Sequence, residues 1–163
     1  MVEANEMEYP FSRRLLVLLA GLMAGGTVAQ ALGCLAGFFV IEDTQAAQML
    51  AHLLIQQMSY YLLGCSFVIL SLSNILIKRG IFTLKDIRLP SLILIVSIAI
   101  SSFLLVPRMD YLREIALQDG IPVMLSPFAN YYAMLNGLTF TVLAVEIILG
   151  VVITWRMCNI QSS

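Results

Sequence analysis

Four apolar runs, residues 15–41, 52–77, 89–106 and 131–155, limit what this chain can fold into. A helix rises about 1.5 Å per residue and a bilayer hydrocarbon core is about 30 Å thick, so each run can cross it. Backbone in lipid must satisfy its own hydrogen bonds, which makes each run a helix. The expected fold is all-α: a polytopic membrane protein with four transmembrane helices in an up-down bundle. Composition agrees, with 60% hydrophobic and 12% charged residues and a mean hydropathy of +0.93. A soluble domain would carry about 25% charge. The runs use most of the 163 residues, so a single four-helix membrane domain over 1–163 is expected, with no second, soluble core.

A net charge of −1 with scattered basic residues excludes nucleic acid as a natural partner; the lipid bilayer is the first partner expected. Cys34 and Cys65 fall inside spans and Cys158 just past the last, a spacing that makes neither a disulfide framework nor a metal cassette. Ser12-Arg13-Arg14 and the later Ala29-Gln30-Ala31 imitate a twin-arginine signal with its cleavage site. Signal h-regions run about 7–15 residues, and this one continues through 15–41, so a retained first span is expected. Glu3, Glu6 and Glu8 are unlike a mitochondrial transit peptide.

Lys and Arg set the orientation. With both termini cytoplasmic, that side carries Arg13, Arg14, Lys78, Arg79, Lys85, Arg88 and Arg156, against Arg108 and Arg113 outside. The expected location is a bacterial inner (plasma) membrane, N-in and C-in. The first outer loop, about 42–51, is short and acidic. Pro90 fits the first turn of span three. Pro107 is expected to end that span. Residues 108–117 read as a short amphipathic helix on the membrane surface, with Met109, Leu112, Ile115 and Ala116 on one face and Asp110, Arg113 and Glu114 available to water. Gly120 and Pro122 end it, and residues 121–128, too apolar for a free loop, should dip into the interface or cap the bundle. This segment is a natural place for a partner to dock.

Span one carries a strong packing pattern: Gly21, Gly25, Ala29, Gly33 and Gly37 recur every four residues. Small residues at that spacing let two helix backbones approach closely. Packing within the chain is the favoured reading, and a second protein is the other.

Glu146 is the one ionisable residue deep in a span, nine residues or about 13 Å from Trp155. A charged acid there costs at least about 2.5 kcal/mol, so it should face the bundle as a buried polar group or a proton or ion candidate. Thr139, Val142 and Gly150 share its helical face, and Gln30 is the natural hydrogen-bond partner. A neutral carboxyl tying two helices together is the competing reading. His52 opens span two near the outer surface, with Met49 and Met109 among the methionines of the outer half. Thioether and imidazole suit Cu(I), which makes these three outer-face ligand candidates. One histidine cannot supply both axial imidazoles of a bis-histidine haem. Methionine is also ordinary filler, so no metal and no cofactor are expected. No nucleophile–base pair or glycine-rich phosphate loop appears, and the serines of span three have no histidine nearby, so an enzyme is not expected.

Ala47-Gln48-Met49-Leu50-Ala51, leading into Tyr60-Tyr61-Leu62, resembles the start of the second helix in an uncharacterised four-helix membrane family. That family is distantly similar to the membrane domain of copper-resistance D proteins and to a small eukaryotic membrane protein linked to drug resistance. Pro107-Arg108-Met109-Asp110-Tyr111-Leu112-Arg113-Glu114 resembles its segment after helix three. The resemblance covers about a fifth of the chain and implies the four-helix fold. Where the family has a histidine at the start of span four, this chain reads Phe128-Ala129-Asn130-Tyr131-Tyr132, which removes the best metal ligand the resemblance would imply. The expected function is a non-catalytic membrane subunit or scaffold, an accessory part of a larger complex with other subunits or further copies of itself. A small-solute, proton or metal-ion transport component using Glu146 is the alternative.

Overall fold

A computed structural model describes residues 10–162; Glu3, Glu6 and Glu8 lie outside them. The helices are α1 (Pro10–Val40), α2 (Thr44–Lys78), α3 (Lys85–Ile100), α4 (Val106–Gln118) and α5 (Ala129–Ser162). A π-helical turn, Ser101–Leu105, joins α3 to α4 without a break. The chain therefore has four helical rods long and apolar enough to cross a membrane. Packing runs around a ring, α1 on α2, α2 on α3, α3 on α5 and α5 back on α1. Short turns alternate the helix directions, so both termini lie at one end of the bundle, here the terminal end; the other is the distal end.

The rods outrun the apolar runs because local chemistry extends them. Asp43 caps α2 by accepting a hydrogen bond from the Gln45 N–H at 2.9 Å, so the first distal turn is only residues 41–43. The loop expected over 42–51 is already helix, with Ala47, Gln48 and Ala51 buried. At the far end of α2, Gly80 takes φ 101°, Ile81 N–H bonds Leu76 O at 3.1 Å and Gly80 N–H bonds Ile77 O at 3.1 Å. Gly120, at φ 71°, ends α4 the same way, through Ile121 N–H to Ala116 O and Gly120 N–H to Leu117 O. Both are Schellman closures, which need a left-handed residue.

Two prolines sit differently from expectation. Helix α3 begins at Lys85, so Pro90 is inside it rather than in its first turn. Proline has no N–H for the carbonyl four residues back, here Asp86. The Arg156 guanidinium of α5 donates to that carbonyl instead. Pro107 does not end the third rod. It occupies the first turn of α4, directly after the π turn, in which Val106 N–H bonds Ser101 O. The wider turn relieves the clash a proline ring makes with the preceding helical turn. Residues 108–117 are thus a continuation of the third rod, not a separate surface helix. Met109, Leu112 and Ala116 enter the core while Glu114 stays exposed. Beyond Gly120, Val123 is buried against the distal core, so part of segment 121–128 covers that end.

The core falls into two apolar clusters. The terminal one holds Leu16, Ala20, Met23, Leu62, Ile69, Leu94, Ile98 and Ile153. The distal one holds Cys34, Ala51, Ile55, Leu105, Met109, Val123, Tyr132 and Leu135. The outer surface is apolar too: Leu18, Leu32, Leu53, Phe67, Phe103, Leu104, Ile148 and Trp155 are exposed. A monomer in water rarely exposes so much contiguous apolar surface; lipid tolerates it.

Candidate functional site

Between the two clusters every rod turns oxygen inward. Thr27 and Gln30 lie between Met23 and Cys34 on α1, Ser59 between Ile55 and Leu62 on α2, and Ser101 and Ser102 between Ile98 and Leu105. On α5, Thr139 and Glu146 lie between Leu135 and Ile153. All are buried, Glu146 and Gln30 to 2% exposure. Printed contacts fix the register. Thr154 Oγ1 donates to Ala20 O at 2.9 Å, and a β-carbon at Gly150 would lie 3.4 Å from both Ala24 Cα and Thr27 Oγ1. One turn further along this antiparallel pair, Gln30 stands level with Glu146. Gly26 meets Tyr61 and Leu62, and Gly33 meets Leu54, so Gln30 is also level with Ser59. The Tyr60 and Phe103 rings, 6.4 Å apart edge to face, bring Ser59 level with Ser102.

The hydrogen bond expected on Glu146 from Gln30 comes instead from Ser101 Oγ, at 3.3 Å from Glu146 Oε1 and 3.3 Å from Ile98 O. Ser101 opens the π turn, which is why a seryl hydroxyl points at α5 here. Gln30 Oε1 and Ser102 Oγ are buried with no hydrogen-bond partner among the described residues. Thr139 is satisfied on its own helix, donating to Leu135 O at 3.0 Å, and Ser59 to Ile55 O at 2.6 Å. Among the described residues the layer thus combines one carboxyl and several neutral oxygens, of which the Gln30 carbonyl and the Ser102 hydroxyl have no partner, with no cationic side chain.

A second polar group lies in the distal half. His52 is 4% exposed, and its Nδ1 is 3.0 Å from Asp110 Oδ1. Arg113 Nη2 is 3.1 Å from the same oxygen. Tyr132, wholly buried beside the His52 ring, donates its hydroxyl to Gln48 Oε1 at 3.0 Å. Asp110 was expected to be available to water and its side chain is 37% exposed, yet it also reaches His52 on α2; Arg113, expected beside it, is 14% exposed and pairs with Asp110 along its own helix. The Gln48/His52 spacing of four and the Asp110/Arg113 spacing of three were the available signals for this network. Neither names its partner helix.

Of the Cu(I) trio, His52 and Met109 are buried, Met109 inside the distal apolar cluster, while Met49, one turn from His52 on α2, is 48% exposed. Among the described residues no three His, Cys, Asp or Glu side chains converge on a metal position.

The small-residue stripe is divided as well. Gly33 and Gly37 pack on α2, where added β-carbons would lie 3.3 Å from Leu54 Cδ1 and 3.3 Å from Leu50 Cδ2. Gly21 and Gly25 have nothing within 4 Å of such a carbon, and Ala29 is exposed. These three floor an open apolar groove of about 570 Å³, walled by Leu18, Leu22, Met58 and Tyr61. Packing among the described residues therefore accounts for the distal half of the stripe only.

Compared with known proteins, the chain matches no family model, no curated protein and no solved structure.

Proposed function

We propose that this chain is a non-catalytic integral membrane subunit or scaffold, an accessory part of a larger membrane complex. The observation that carries the reading is the open half of the glycine stripe. Gly21, Gly25 and Ala29 leave a helix-wide groove that no element among the described residues fills. Lipid gives helices no hydrophobic drive to associate, so a surface that admits close backbone approach is what a partner helix needs. Basic residues support a bacterial inner (plasma) membrane with both termini cytoplasmic. Arg14, Lys78, Arg79, Lys85, Arg88 and Arg156 lie toward the terminal end, and of the two distal arginines Arg113 is paired to Asp110.

The test is gentle extraction from native membranes and intact-complex mass spectrometry of the wild type and Gly25→Leu. A stoichiometric companion, lost when the groove is filled, is the expected result. A lone wild-type monomer refutes the reading.

A second reading, a proton- or ion-handling component, is favoured by the mid-bundle layer around Glu146. Glu146→Gln should then abolish flux in proteoliposomes while the protein stays folded.

A further inference from the structure

At the distal end a cavity of about 430 Å³ opens between the first turns of α2 and residues 122–124. Small-molecule sites run from about 300 to 1,000 Å³. Glu42 and Asp43, both exposed, stand at its mouth, and Pro122, Val123 and Met124 give it an apolar wall. Among the described residues no basic side chain lines it. Gln48 lines it too, although that residue is only 5% exposed. Its Oε1 accepts the hydroxyl of the wholly buried Tyr132 at 3.0 Å, which fixes the carbonyl end inward. The amide nitrogen at the other end has no hydrogen-bond partner among the described residues. Its two N–H donors are the part of Gln48 left for the cavity, on a side chain that the Tyr132 bond keeps from turning over.

Each feature selects a part of the occupant. Two carboxylates without a basic neighbour make the cavity negative, and a cleft lined by one sign of charge concentrates the opposite sign. A metal ion is the poorer match, because no three His, Cys, Asp or Glu side chains among the described residues converge on a metal position. An ammonium needs only oxygens for its own N–H donors. Asp43 uses one oxygen to cap Gln45 N–H and has the other to offer. The apolar wall suits carbon beside that ammonium, and the Gln48 N–H groups call for an oxygen acceptor on the same molecule.

We propose that this distal cavity binds an amino alcohol, with its ammonium on Glu42 and Asp43 and its oxygen on the Gln48 amide. In the orientation proposed above, the cavity opens on the outer side of the membrane. The same chemistry occurs in a free amino alcohol and in an aminoethyl lipid headgroup, and the test separates the two sources. The cavity shares no lining residue with the groove on α1, so its failure would leave the subunit reading untouched.

The test is thermal unfolding of the full chain in detergent micelles, followed by helical circular dichroism, at constant pH and ionic strength. The probes are ethanolamine, propylamine (which keeps the ammonium and lacks the oxygen), a short-chain phosphatidylethanolamine, and NaCl as control. A ligand that binds only the folded state raises Tm with its concentration. The expected result is a saturable rise with an ethanolamine group, weaker with propylamine and absent with NaCl. The Glu42→Gln/Asp43→Asn double variant removes both charges and keeps the helix cap, because Asn caps as well as Asp. Its half-effect concentration should rise by about tenfold or more, as expected for lost hydrogen bonds between charged groups. A rise with phosphatidylethanolamine that the double variant loses makes the ligand a headgroup; a rise with free ethanolamine alone makes it a solute. No rise above NaCl from either, or an unchanged half-effect concentration in the double variant, overturns the proposal. Equal responses to ethanolamine and propylamine would overturn the amino-alcohol assignment and the part given to Gln48.

Discussion

Filling Gly150 and filling Gly25 with the same leucine should have opposite consequences, although both are glycines of apolar helices. At Gly150 the first added carbon already lies 3.4 Å from Ala24 Cα and from Thr27 Oγ1. Ala24 Cα is backbone, so it cannot rotate away, and the remaining three carbons of leucine would force α1 off α5. Overpacking of this kind costs about 1–3 kcal/mol. At Gly25 nothing lies within 4 Å, and a leucine extends into the groove while gaining up to about 1 kcal/mol of helix propensity. The gain in helix propensity is common to both, so the two variants should differ in unfolding free energy by the overpacking cost alone, about 1–3 kcal/mol, with Gly150→Leu the less stable. Gly33→Ala falls between them, because its neighbour at 3.3 Å is the methyl end of Leu54, which can shift. The assay is reversible unfolding in mixed micelles on titration with sodium dodecyl sulfate, followed by helical circular dichroism. Equal losses for the two leucine variants would refute the α1–α5 packing described here. So would a Gly25→Leu protein less stable than Gly150→Leu.

Two further outcomes can be checked with the same unfolding assay. Arg156→Ala should cost about 0.5 kcal/mol or less, because the Asp86 carbonyl is exposed and water can replace the guanidinium, and Pro90→Ala, which restores an N–H for that carbonyl, should remove most of the penalty. A double-mutant cycle with no coupling between the two positions would contradict the assignment. Asp110→Ala should cost about 1–3 kcal/mol by leaving the buried His52 and the half-buried Arg113 unpaired, and adding His52→Phe should recover part of it. Additive losses in that pair would mean that the two side chains do not meet.

The four rods and the closure at Gly120 were legible in the residues alone because both depend on local quantities. Run length is compared with bilayer thickness, and Gly120 closes its helix within a few residues of chain. The inward placement of Glu146 followed from the cost of a carboxylate in lipid, which needs no knowledge of neighbours. What resisted was everything that depends on which side of a helix faces which other helix. In a soluble bundle the polar face marks the outside. These helices are apolar all round, so lipid-facing and buried sides read alike. For that reason the glycine stripe could be recognised as a packing surface, yet only tertiary structure divided it into a half filled by Leu50 and Leu54 and a half left open.

Pro107 misled for a related reason. A proline in an apolar run signals a stop, and the π turn before it lets the helix continue. That continuation is tertiary in its consequences. It keeps α4 in line with α3, brings Asp110 within reach of His52, and sets Ser101 instead of Gln30 on Glu146. The sequence by itself determined the number of rods, the closure at Gly120 and the burial of one acid, since each is settled by a few residues and their solvent. The tertiary structure decided the partners, because a hydrogen bond between residues 45 positions apart depends on the rotation of two helices about their axes. Packing against the rest of the bundle sets that rotation.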